Sequence, residues 1–176
     1  MRIKIQILFY FITIFICNAQ DNNISELFEN CKNYSVKDSI SIFDKYNNFT
    51  LRLPKKWNGE FKGDMPSLFA YKALDSSKIW LRGHTSYNVL DDNNKIKKND
   101  PNFVGINFIE SQEVLIIEFP KTDNERSIHG YEFNYKNEKT GWVWKFYLST
   151  YKENLTSNDI CEIKYIIKQF IHKYKN

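Results

Sequence analysis

Chemistry in this sequence has to come from three histidines, three cysteines and scattered carboxylates. His84, His129 and His172 each lack a second ligand at metal spacing, for there is no His-x-x-x-His, Cys-x-x-Cys or His-Glu-x-x-His. A structural or solvated role is the expectation for each. Asp91-Asp92-Asn93-Asn94 offers the oxygens that calcium prefers, but the glycine of a calcium loop is missing and Lys95, Lys97 and Lys98 follow. That run reads as a solvated loop. Ser67, Ser86 and Ser111 lack the glycines of a nucleophile elbow, and the glycine patterns that cradle phosphates are absent. Glu110, Glu113 and Glu118 could pair as acid and base, as carboxylates of any globular domain could. The sequence therefore calls for no catalytic set, no metal and no cofactor, and it points away from an enzyme.

Cys31 and Cys161 are a different case. They are the only cysteines beyond residue 17, and each falls on an expected helix. A bridge between them would close a long loop and contribute about 2–4 kcal/mol. The alternative is two buried thiols acting as small apolar groups. Trp57 and Trp80 are the aromatic candidates for recognition. Alternation over residues 78–84 puts Trp80 on one face with Lys78 and Arg82, while Ile79 and Leu81 take the other. Trp beside Arg on a polar face is hot-spot composition, so Trp80 and Arg82 are the expected protein-binding pair. The competing reading buries Trp80 under a helix with the Lys78 and Arg82 stems alongside.

The elements that would position these residues follow from periodicity. Ile24, Leu27, Phe28 and Cys31 keep helical spacing, so residues 23–34 are expected to form a short amphipathic helix. Ile40 and Ile42, then Phe49, Leu51 and Leu53, alternate as two strands around a turn at Lys45–Asn48, where Asn tolerates positive φ. Residues 67–74 and 78–84 read as a strand pair and 88–101 as a long exposed loop, while 104–111 fits helix or strand. Strands are expected at 114–119, 127–135 and from Trp142 onward, with a turn at 137–141. The first and last of these are apolar on both faces, which predicts a covering layer on each side. Ile160, Ile163, Ile167, Phe170, Ile171 and Tyr174 then set out a helix starting near Thr156 or Ser157. The expected fold is one α+β domain over residues 20–176, an antiparallel sheet with helices on both faces.

Residues 1–19 carry the order of an export signal. Arg2 and Lys4 form a basic head, Ile7–Ile16 is apolar apart from Thr13, and Cys17-Asn18-Ala19 offers small residues before a cut. The apolar run is half of the roughly 20 residues a membrane span needs. Lipid attachment at Cys17 is the rival reading, the one route by which the expected protein would meet a membrane, although Ile16 stands where such sites carry a small residue. Either way an exported protein is expected, periplasmic or secreted, of 157 residues if cut after Ala19. Loss of Arg2 and Lys4 would lower the formal net charge from +4 to +2, too little for a nucleic-acid partner.

The phrase Tyr46-Asn47-Asn48-Phe49-Thr50-Leu51-Arg52-Leu53-Pro54-Lys55-Lys56-Trp57 resembles the opening hairpin of PsbP-like proteins, whose second strand ends in Leu-Pro-x-x-Trp. Ile128-His129-Gly130 before a strand, Gly141-Trp142 opening the last strand and an Ile-rich closing helix agree more loosely, so the resemblance runs over roughly residues 40–174. It implies an α/β/α sandwich. That family includes an extrinsic subunit of photosystem II, a nuclear protein that binds a small GTPase, and secreted bacterial proteins. They act mostly by docking on other proteins, and no shared catalytic motif carries over. The N-terminal helix and the 88–101 loop depart from the family pattern. The function expected is that of a secreted, non-enzymatic accessory protein docking on a cell-envelope protein. An immunity protein neutralising a toxin in the envelope, and a hydrolase or small-ligand binder using a cleft near the 88–101 loop, are the rivals.

Overall fold

Alternation of apolar and polar residues dominates the chain from Ser39 to Thr150, and in the computed structural model it yields nine antiparallel strands among the described residues. The structure describes residues 24–31, 33–63, 67–73, 78–87, 98–119, 129–137, 142–150 and 155–174. The expected export signal with Cys17, the Asp91–Asn94 run and most of the 88–101 loop lie outside these residues. Strands β1 (Ser39–Asp44) and β2 (Phe49–Pro54) form a separate hairpin. Its turn is the one the asparagines predicted: Asn48 has φ 46°, and the Asp44 carboxylate accepts from the Tyr46 and Asn47 N–H groups.

The remaining strands are β3 (Trp57–Lys62), β4 (Ser67–Ala73), β5 (Lys78–Tyr87), β6 (Phe103–Ile109), β7 (Gln112–Phe119), β8 (His129–Lys136) and β9 (Trp142–Thr150). They make one seven-stranded sheet in the order β3-β4-β5-β9-β8-β7-β6. This is two meanders, β3 to β5 and β6 to β9, joined where β5 pairs with β9. Residues 103–109, ambiguous in the sequence, are a strand. Strand β3 escaped notice because Gly59 interrupts the apolar series Trp57, Phe61, and it does so for a reason. A Cβ at Gly59 would stand 2.8 Å from Leu53 and 2.9 Å from the Phe69 carbonyl oxygen, so only glycine lets the β1–β2 hairpin close down there.

One face of the sheet carries the core. Helix α1 (Ile24–Glu29) and helix α2 (Ser157–Tyr174) both pack there, α1 stacking Phe28 on Phe133 at 5.1 Å. Phe170 of α2 meets Phe49, Trp144 and Phe146 with ring centroids 5.0–5.3 Å apart. The expectation of helices on both faces is therefore wrong. The protein is mostly β, and among the described residues the second face has no helix above it. The error came from reading apolar residues on both faces of β7 and β9 as a demand for two covers. Leu115, Ile117 and Val143 are indeed buried on the second face, but beneath no described helix.

Helix α2 is fixed at its start by a reciprocal cap. The Asp159 N–H donates to Thr156 Oγ1 (3.2 Å) and the Thr156 N–H donates to Asp159 Oδ2 (2.9 Å). Lys72 of β4 then reaches in from the sheet, donating to Asp159 Oδ1 at 2.9 Å and Glu162 Oε2 at 2.6 Å, with all three side chains under 10% exposed. Glu162 also accepts from the Trp57 indole N–H (2.8 Å) and from Asn158 (3.0 Å). Both carboxylates sit at the positive end of the helix dipole, which favours their negative charge. Trp57 is thus fully buried structure and not a recognition residue. The sulfurs of Cys31 and Cys161 stand at bonding distance with Cα atoms 5.3 Å apart, joining α1 to α2.

The β6–β7 hairpin turns on two residues, Glu110 (φ 52°) and Ser111 (φ 63°). Both central residues of such a turn need positive φ, where Asn-Gly is favoured and other residues are strained. Ser111→Gly should remove about 1–2 kcal/mol of strain against a smaller entropy cost, for a net gain of about 0.5–1 kcal/mol. Urea unfolding measures it; no gain, or a loss, would show that the turn is relaxed with serine.

Candidate functional site

Period-2 alternation on the open face of the sheet collects a set of side chains that sequence order scatters. Strand β5 turns Trp80, Arg82 and His84 outward, and its pairing with β9 places them opposite Ser149, Tyr147 and Lys145. On its other side β4 sets Tyr71 opposite Trp80 and Phe69 opposite Arg82. Of these, Phe69, Trp80, Arg82, His84 and Tyr147, with Phe119 of β7, line an open groove of about 750 Å³.

The groove is floored by stacked rings. His84 and Tyr147 lie 5.3 Å apart at 14°, and Phe119 continues the stack 5.7 Å from Tyr147, again at 14°. Phe119 reaches Tyr147 across β8 because Gly130 lies between them. A Cβ there would fall 2.8 Å from the Phe119 ring and 3.2 Å from the Leu148 carbonyl oxygen. Cations rim the aromatic surface: Arg82 and Lys62 lie 5.8 and 5.2 Å from the Phe69 centroid, and Lys78 lies 5.9 Å from that of Tyr71. Lys62 is also paired with Glu60 at 2.8 Å.

Burial lowers the His84 pKa, helped by the positive charge of Lys145 and opposed by Glu132. Burial raises that of Tyr147, with the Glu132 carboxylate adding to it. Both rings are therefore uncharged at neutral pH, and the groove presents a flat, neutral π surface with cations at its edges. His84 stacks on Tyr147 face to face, a geometry for recognition and not for passing a proton along a hydrogen bond.

The sequence-predicted pair Trp80 and Arg82 is brought together here, Trp80 half-buried and Arg82 exposed, with Lys78 exposed beside them. No described helix lies over Trp80, contrary to the competing reading. His84, taken as structural or solvated, turns out to be a groove residue. Phe69, Phe119 and Tyr147 were missed, and only the alternation of each strand hinted at them; the β5–β9 pairing that gathers them leaves no local mark. His172 is exposed on α2, the side chain of His129 lies outside the described residues, and no His, Cys, Asp and Glu cluster suited to a metal occurs among the described residues. Comparison with protein-family models, curated proteins and solved structures finds no match.

Proposed function

We propose that this chain is an exported, non-enzymatic accessory protein that docks on a protein of the cell envelope through the open face of its sheet. The observation that carries the reading is one-sidedness. Both described helices and the β1–β2 hairpin fill one face, while the other, buried at Leu115, Ile117 and Val143, offers Trp80, Phe69, His84, Tyr147 and Phe119 with Arg82 at the rim. Aromatic rings edged by arginine are what well-packed interfaces use. The leader-like first 19 residues motivate the compartment, and the PsbP-like phrase at 46–57 motivates docking as the mode of action. An envelope toxin is one such partner, which would make the chain an immunity protein. A small-ligand binder would be better served by an enclosed cavity than by this open groove.

Capture from an envelope extract by the immobilised protein, with the retained species identified by mass, tests this. Trp80→Ala and Arg82→Ala should each weaken capture of the same partner by about 2 kcal/mol, roughly 30-fold, and leave the melting temperature nearly unchanged. Lys78→Ala should change only the salt dependence. Undiminished capture by both variants, or a large fall in melting temperature for Trp80→Ala, would remove the open face from the account.

A further inference from the structure

A second groove, of about 880 Å³, lies on the opposite side of the molecule along the outer surface of α2. Thr50 of β2 borders it on one side, and Phe108 with the strained Glu110 turn on the other. Its basic side chains sit on one stripe of the helix: Lys164, Lys168 and His172 at i, i+4 and i+8, with Lys173 beside them; the Lys164 ammonium also donates to the Phe28 carbonyl at 2.6 Å. Against them the groove sets one carboxylate, Glu110, 2.7 Å from Lys168.

The strand edge beside this stripe is half closed. Gln169 of α2 receives the Arg52 N–H on Oε1 (2.9 Å) and donates Nε2–H to the Arg52 carbonyl (2.8 Å), as a neighbouring strand would. Arg52 therefore turns its backbone groups away from β1. Thr50, two residues back on the same strand, turns its own N–H and C=O the same way, exposed and with no partner among the described residues. Phe108, across the groove, is 63% exposed.

We infer that this groove is a docking site for an extended acidic segment of a protein partner, which adds to the edge of β2 at Thr50 and sets its carboxylates on the α2 stripe. The spacing fits. Side chains four apart on a helix rise by about 6 Å, and alternate side chains of an extended strand recur at roughly 6.7 Å. Carboxylates two positions apart would meet Lys164 and Lys168 in turn, with Lys173 beyond them. Glu110 already holds one of these positions, a carboxylate of the chain itself presented from a left-handed turn. Backbone pairing supplies affinity and the cation row supplies selection, which is how strand addition divides the work. This inference is independent of the open-face groove.

The test is fluorescence anisotropy with a labelled synthetic peptide alternating Glu and Thr, and one alternating Lys and Thr as control, titrated with the full chain. The Glu peptide should bind and the Lys peptide should not. Glu110→Gln frees Lys168 from its internal partner and should tighten binding about threefold. Lys168→Glu, at an exposed position that leaves the circular dichroism spectrum unchanged, should weaken it roughly tenfold or more. Hydrogen exchange at the Thr50 amide should slow when the peptide is bound. The inference fails if neither the wild type nor Glu110→Gln binds the Glu peptide, if Lys168→Glu binds as well as wild type, or if Thr50 exchange is unaffected. Loss of peptide binding in Trp80→Ala would move the contact to the open face and overturn it too.

Discussion

Lys72→Met should cost the fold about 3–5 kcal/mol, the largest effect expected of any single substitution here. The change removes the cation that Asp159 and Glu162 share and leaves two carboxylates buried at the sheet–helix junction. The donors described for them, Thr156, Asn158 and Trp57, are neutral. Adding Asp159→Asn and Glu162→Gln to Lys72→Met should recover much of the loss, since amides can still accept from those donors. Failure of the triple variant to recover would assign the cost to the lost packing of the lysine stem instead. The pH dependence has a definite sign. Burial pushes the Lys72 pKa down, but its hydrogen bonds to Glu162 and Asp159 outweigh this and hold it above the ordinary 10.5. A raised pKa means that the stabilisation is whole below the unfolded value and is lost as pH climbs through the folded one. Wild type should therefore lose stability at strongly alkaline pH by a component that Lys72→Met lacks, as chemical denaturation above pH 10 would reveal.

Replacing Cys31 and Cys161 together by Ala should lower stability by about 2–4 kcal/mol. The pair is separated by 130 residues, so the bridge restricts nearly the whole unfolded chain. It also holds a helix of six residues, too short to persist alone in water. Hydrogen exchange in the double variant should accelerate first at α1, while the sheet stays protected. Alkylation of the native protein without reductant should add nothing to either sulfur. Full labelling of both, with reductant leaving the melting temperature where it was, would establish two free thiols and end this account.

Much of the strand pattern was legible because it rests on near neighbours. The β1–β2 turn could be read from Asn47-Asn48, the β4–β5 pair from its alternation, and α2 from the spacing of Ile160, Ile163, Ile167 and Phe170. The outward placement of Trp80 and Arg82 followed from period 2 alone. What stayed hidden depends on partners far along the chain. Lys72, between Tyr71 and Ala73 in an alternating strand, looks like a solvated lysine until Asp159 and Glu162 arrive from α2. Nothing near His84 announces Tyr147, and nothing near Gly130 announces the ring that crosses it. The two-sided cover was misjudged for a related reason: apolar content shows that a face is buried, not which element buries it.

The join between the two meanders has a consequence for how the chain acquires its shape. Each meander is built from successive hairpins that can pair as soon as they exist, yet β5 must wait through β6, β7 and β8 before β9 comes to lie beside it. Helix α2 follows all the described strands in sequence and supplies side chains that close the core. During synthesis both half-sheets would stand with bare apolar faces and unsatisfied inner edges at β5 and β9. Pairings this distant in sequence are slow to find, and exposed edges in the interval invite association with other chains. Assembly should therefore be limited by the β5–β9 encounter, with the docking of α2 as the event that makes it irreversible on the time scale of refolding.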